Sequence, residues 1–191
     1  MSRLRKLGFA AGFAAAASLA LAGAAWTQPL ERGTFHEEFT DVDDAFCDVA
    51  GLTVQEDVVV DGRFLVNPHG PDGLVYFMDS LHISRTFTNL DNGNAITAVE
   101  RTLFKDLRVT DNGDGTLTVL VLGTGNSTAY GQDGKAIARN PGQLRFEVLV
   151  DHAGTPDDPS DDEFLDFLGF VKESTGRTDD FCDAIIPELT G

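Results

Sequence analysis

The sequence predicts an all-β domain: an antiparallel meander of roughly eight strands closing into a barrel, with a two-sheet β-sandwich as the alternative. Three observations carry that prediction. Turn signals rich in Gly, Asn, Asp and Pro recur at short intervals. The runs between them are rich in Val, Leu, Phe and Thr, and sustained helical periodicity is scarce. The barrel is preferred because consecutive strands joined by tight turns form hairpins, and closure removes exposed edges.

Residues 52–60 form the first strong strand-like run; Gly62 interrupts it and Phe64-Leu65-Val66 follows. Residues 67–73 are a dense turn cluster. Residues 74–78 are apolar, residues 81–88 alternate, and Asp91-Asn92-Gly93-Asn94 is a hairpin turn. Residues 95–110 suit one bent strand or two short ones. The clearest hairpin loop is Asp111-Asn112-Gly113-Asp114-Gly115, whose residues tolerate positive φ. Residues 116–122 follow, then a turn at Asp133-Gly134. Residues 143–150 put Leu144, Phe146, Val148 and Val150 on one face, and residues 164–171 form the last strand. The best helical pieces are residues 43–49 and 179–185.

The N-terminus has the order of a secretory leader. A basic head, Arg3-Leu4-Arg5-Lys6, precedes an apolar Ala/Leu/Phe run and a small-x-small site at Ala22-Gly23-Ala24. Residues 1–25 are therefore assigned to a signal peptide and residues 26–191 to one secreted domain. Export to an oxidising compartment makes Cys47 and Cys182, the only cysteines, a predicted disulfide joining the ends of the domain. Cleavage removes Arg3, Arg5 and Lys6 and no acid, taking the formal charge from −17 to −20. Nucleic acid and anionic membrane surfaces are disfavoured as partners, because both need a basic footprint.

Two strands carry a cation where apolar side chains are expected. Arg85 shares parity with Leu81, Ile83 and Phe87, and Arg101 with Val99, Leu103 and Leu107. Pointing into one interior, they would require a carboxylate or an anionic ligand. Asp166 is the partner proposed, by parity with Phe164, Leu168 and Phe170. The alternatives, solvent-facing positions or structural ion pairs, stay open. The acidic loop over residues 152–163 and the loop over 111–115 match no calcium signature and are read as solvated turns. His36, His69, His82 and His152 have no metal-ligand spacing. Gly123-Thr124-Gly125-Asn126-Ser127 lacks the Lys and the helix of a phosphate loop. No metal, cofactor or catalytic residue is assigned.

Cys47 in Phe-Cys-Asp, the 111–116 hairpin, the segment 154–162 and Asp180-Phe181-Cys182 form a layout. This layout resembles a family of small, uncharacterised secreted bacterial proteins that look like lipocalin-type or allene-oxide-cyclase-type β-barrels. The resemblance implies a barrel and carries over no active-site residue. The resulting expectation is a secreted monomer that binds a small apolar, amphipathic or acid-bearing molecule through Arg85, Arg101 and Asp166 without catalysis. A barrel-type cyclase or isomerase and an extracellular protein-interaction module are the alternatives.

Overall fold

A computed structural model describes residues 31–68 and 73–191. The leader and His69 lie outside the described residues. Seven strands follow one another in a single antiparallel sheet: β1 (Glu31–Asp43), β2 (Val54–Pro68), β3 (Val75–Asn89), β4 (Ala95–Asp111), β5 (Thr116–Tyr130), β6 (Ala136–Asp151) and β7 (Glu163–Lys172). A short 3-10 turn, Phe46–Asp48, precedes β2, and the helix α1 (Phe181–Thr190) ends the chain.

The predicted all-β meander is present, and three finer expectations are corrected. Among the described residues the strands number seven, they lie in one sheet rather than two, and β1 and β7 end that sheet without pairing, so the sheet is not closed into a barrel. The strand at residues 31–43 was not predicted. It is an edge strand in which Glu, Asp, Arg and His dilute the apolar signal, as solvated edges require. Nor do the glycines break strands where the sequence suggested. Gly62 sits inside β2 directly under the Phe35 ring of β1, and Gly33 of β1 sits under the Phe64 ring of β2. A Cβ at either position would enter the ring that covers it. Residues 95–111 form one strand, bent by a bulge between Asp106 and Arg108.

The pairing register gives each strand an inner and an outer face. Val58, Arg85, Ala98, Ala129 and Ala138 occupy one continuous inner row across five strands. Two clusters fill the inner side. At one end, Ile185 and Leu189 of α1 are fully buried against Phe87, Ile96, Ala98, Ala129 and Ala138. The alanines matter here, because their short side chains let the helix sit close on the sheet. Burying each large aliphatic side chain contributes on the order of 1.5–3 kcal/mol. Phe46 joins this cluster and lies 5.5 Å from Phe87, which in turn lies 5.5 Å from Phe181. At the other end, Val109, Leu117, Val119, Val121 and Val150 are buried with Phe104, Phe146 and Val148. The predicted face Leu144, Phe146, Val148 and Val150 of β6 is part of the inner side.

Polar contacts hold α1 at both ends. The Asp180 carboxylate accepts from the Asp183 N–H at 3.0 Å, a side-chain cap on the first turn. At the other end the Leu189 carbonyl accepts from the side-chain amides of Asn89 at 3.0 Å, Asn92 at 2.9 Å and Asn94 at 3.4 Å. The Glu188 carbonyl accepts from Gln132 Nε2 at 2.6 Å. These donors come from the β3–β4 and β5–β6 turns and occupy carbonyls that a helix end leaves without intrahelical partners. The predicted disulfide is formed: Cys47 and Cys182 are bonded with a Cα separation of 5.7 Å, linking the turn before β2 to the first turn of α1.

The last strand departs from two-residue alternation. Phe164, Phe167 and Phe170 stand opposite Val150, Val148 and Phe146, on the inner side. Asp166 and Gly169 stand opposite Leu149 and Glu147, on the outer side. Register shifts recur along the strand, so its period is three: Phe164-Leu165-Asp166, Phe167-Leu168-Gly169, Phe170-Val171-Lys172.

Removing the disulfide with Cys47→Ala and Cys182→Ala is expected to cost about 2–5 kcal/mol of unfolding free energy, since the bridge closes a long loop. Chemical denaturation under non-reducing conditions measures it. Asn89→Ala leaves the Leu189 carbonyl with weaker partners at a buried site and is expected to cost about 1–3 kcal/mol. Hydrogen exchange of the α1 amides should rise in that variant before exchange in β4 and β5 does.

Candidate functional site

The three residues predicted to share a ligand do not converge. Arg85 pairs across the ladder with Ala98, whereas Arg101 pairs with His82, so the two guanidinium groups leave opposite faces of the sheet. The parity reading assumed that odd residues on both strands share a face. The register sets odd residues of β3 beside even residues of β4. Asp166 is on the outer side of β7, where its carboxylate accepts from the Phe167 N–H at 2.8 Å. The register shifts along β7 overturn its predicted parity with Phe164, Leu168 and Phe170. Arg85 does have the carboxylate that an inward cation demands. It is Glu56 of β2, with Nη1 to Oε1 at 2.6 Å and both side chains half-buried. That pair satisfies itself.

The inner side carries a second acidic feature that sequence reasoning missed. Asp79 and Asp106 lie among Phe77, Phe104 and Val121, on neighbouring strands. Asp106 accepts from the Phe77 N–H at 2.7 Å. Burial pushes the Asp106 carboxyl up to about 7, and the negative charges of Asp79 and Asp162 add to the rise. Burial likewise raises Asp79 to about 6. Its Oδ1 is buried with no hydrogen-bond partner among the described residues. Asp79 is six residues along β3 from Arg85, about 20 Å, and Asp106 of β4 lies beside this same end of β3, so neither is a partner of that cation. The single signal in the sequence was an acid set inside an apolar run at each position.

The outer face gathers the groups that a polar ligand needs. Ladder pairing places His36, Asp61, His82, Arg101 and Asn126 side by side on five consecutive strands. Along this row runs an open groove of about 750 Å³, lined by His36, Asp61, Arg63, Ser80, His82 and Arg101. A second depression of about 290 Å³ continues it through Asn126, Thr128, Tyr130 and Arg139. His36 bonds Asp61 Oδ1 at 2.8 Å through Nδ1 and Glu38 Oε1 at 3.0 Å through Nε2. The bond to Asp61, then that to Glu38, raises its pKa above the ordinary 6.5. Among the described residues, Arg63 and Arg101 have no ion-pair partner.

The charge of this face runs against the composition of the chain. Acids outnumber bases 31 to 14. Yet Arg63, Arg101, Lys105, Arg108, Arg139 and Arg145 all project outward, and among the described residues Arg85 is the one strand cation on the inner side. The outward positions of β4 and β5 hold no carboxylate. Two apolar side chains, Val99 and Leu103, flank Arg101 on the same face.

The acidic loop after β6 is turned in on itself. Asp151 accepts from the Ala153 N–H at 2.8 Å, and the Asp161 carboxylate accepts from the Thr155 hydroxyl at 2.6 Å. Burial, followed by the neighbouring Asp161 charge, raises Asp162 to about 6.

No family model matches the chain, and neither a curated protein nor a solved structure does.

The raised Asp106 and Asp79 carboxyls set a pH dependence. Their folded-state pKa values lie above the ordinary 3.8, so the folded state holds these protons more tightly than the unfolded chain. That stability is complete below the ordinary value and is lost as pH rises through about 6 and about 7. The melting temperature is expected to fall between pH 5 and pH 8 by several degrees. Asp106→Asn, which keeps an acceptor for the Phe77 N–H, should flatten most of that fall. Melting curves of both proteins across this range check the sign.

Proposed function

We propose that the protein is an exported, non-catalytic binding protein whose outer-face groove receives an amphipathic molecule bearing an acid group. The observation that carries this reading is the pairing of Arg101, which has no ion-pair partner among the described residues, with His82 at the β4 end of a groove. Arg63 lines the same groove, on a face whose central strands carry no acid. A guanidinium offers two parallel N–H donors that fit a carboxylate or phosphate. The hydroxyl of Ser80 and the side-chain amide of Asn126 stand one strand away on either side, able to bind further oxygens. Val99 and Leu103 provide the apolar strip beside the cation. The acid-bearing ligand and the role of Arg101 are kept from the sequence; the site moves from the inner to the outer face.

The non-catalytic reading rests on separation. The carboxyls with raised pKa, Asp79 and Asp106, stand on the inner side, while the free arginines stand on the outer side. A general acid and an oxyanion-stabilising cation must reach one reacting centre. Here the sheet lies between them. Export is supported by the leader-like N-terminus and by the disulfide. Among the described residues no helix is long and apolar enough to cross a membrane.

Titration calorimetry with dodecanoate and with dodecanol tests the reading. Dodecanoate should bind and dodecanol should not. Arg101→Gln is expected to weaken dodecanoate binding at least tenfold, about 1.4 kcal/mol, whereas Arg85→Gln should leave it unchanged. Protonated His36 adds positive charge at the end of the row, so affinity should fall as pH rises through its raised pKa. Equal binding of acid and alcohol, or an Arg101→Gln protein that binds as well as the parent, would refute the proposal.

A further inference from the structure

The edge strand β7 presents six large apolar side chains that nothing among the described residues covers. Phe164, Leu165, Phe167 and Leu168 are about half exposed, and Phe170 and Val171 are 56% and 58% exposed. Phe167 stacks edge-on against Phe170 at 5.2 Å and lies 5.7 Å from Phe146, so the patch is continuous with the inner side of the sheet. Natural edge strands are usually blunted by Lys, Pro or inward charge. The other edge, β1, is protected in that way by Glu31, Arg32, Glu37, Glu38 and Asp41, whereas β7 has one charge, Asp166, between its two ends.

The charges of β7 name its occupant. The strand begins at Glu163 and ends at Lys172, and the residues between are apolar apart from Asp166 and Gly169. Laid antiparallel against itself about a two-fold axis between Phe167 and Leu168, it sets Glu163 of each copy against Lys172 of the other. Phe164 then meets Val171, Leu165 meets Phe170, and Phe167 meets Leu168. Both ends are oppositely charged, every large apolar residue stands opposite another, and Asp166 of each copy stands opposite the small Gly169 of the other. Neither Glu163 nor Lys172 has an ion-pair partner within the described residues. We infer that this face is a homodimer interface in which two β7 strands pack antiparallel across a two-fold axis. Isologous contact suits it, because the same patch serves both copies and the assembly closes at two. Pairing of β7 with β1 of a neighbour would instead be head-to-tail, and would set the apolar strand against a charged one.

Sedimentation velocity on the disulfide-bonded protein, followed from low to high micromolar concentration, tests the interface. A concentration-dependent dimer is expected. Glu163→Lys and Lys172→Glu, each alone, place like charges at both ends and should weaken the dimer by about tenfold. The two reversals combined restore the opposite pairing and should recover it. Both positions are exposed at the ends of the strand, so the fold does not depend on them, and far-ultraviolet circular dichroism confirms this for each variant. A protein that stays monomeric throughout overturns the inference. So does a dimer indifferent to the single reversals, or a ladder of ever larger species, which would mark β7–β1 contact.

Discussion

Everything else in this molecule depends on the docking of α1 against the inner side of the sheet. Seven antiparallel strands that do not close leave an apolar face in need of cover. Ile185 and Leu189 supply it at one end, seated over Ala98, Ala129 and Ala138. A ten-residue helix is marginal alone in water. It persists here because its first turn is bonded covalently to the turn between β1 and β2 and its last carbonyls are held by asparagine and glutamine amides from two turns. The β3–β4 hairpin therefore serves two purposes. It reverses the chain, and it closes the end of a helix a hundred residues away.

With the inner side committed to packing at both ends, the outer side is left for solvent and ligand. Its chemistry follows from ladder register alone. Each strand contributes one polar residue to the row from His36 to Asn126, and antiparallel pairing brings these residues, spread over the chain, to within a strand spacing of their neighbours. The acids that dominate the composition are placed mostly in β1, in the turns and in the loop after β6. Cations therefore outnumber acids on the centre of one face of a chain with a formal charge of −17. Net charge governs solubility, but a ligand within a few ångströms responds to the local field.

Much of the fold was legible in the residues. The turns at Asp91–Asn94 and Asp111–Gly115 carry side chains suited to positive φ, and both are hairpin turns in the structure. Compartment chemistry predicted the Cys47–Cys182 bond, and the helical piece near Asp179 is the start of α1. Strand ends were less legible, because Gly62 is a break only until the Phe35 ring covers it. The binding residues were misplaced for a related reason. Parity within a strand says which residues share a face, but not which face a neighbouring strand turns to it. One residue of register decided that Arg85 meets Glu56 inside while Arg101 meets His82 outside. In β7, repeated shifts destroyed parity itself, and Asp166 changed sides.

The sequence by itself determined the all-β class, the meander order, the disulfide and the presence of cations at unusual strand positions. Each of these rests on local chemistry: turn propensity, alternation, and the redox state of a compartment. Tertiary structure alone decided that the sheet stays open, that burial lifts the Asp79 and Asp106 carboxyls well above their ordinary value, and that Arg101 has no ion-pair partner among the described residues. Those outcomes depend on which side chains from distant segments come to share one dielectric environment, and the spacing of residues along a chain carries no record of that.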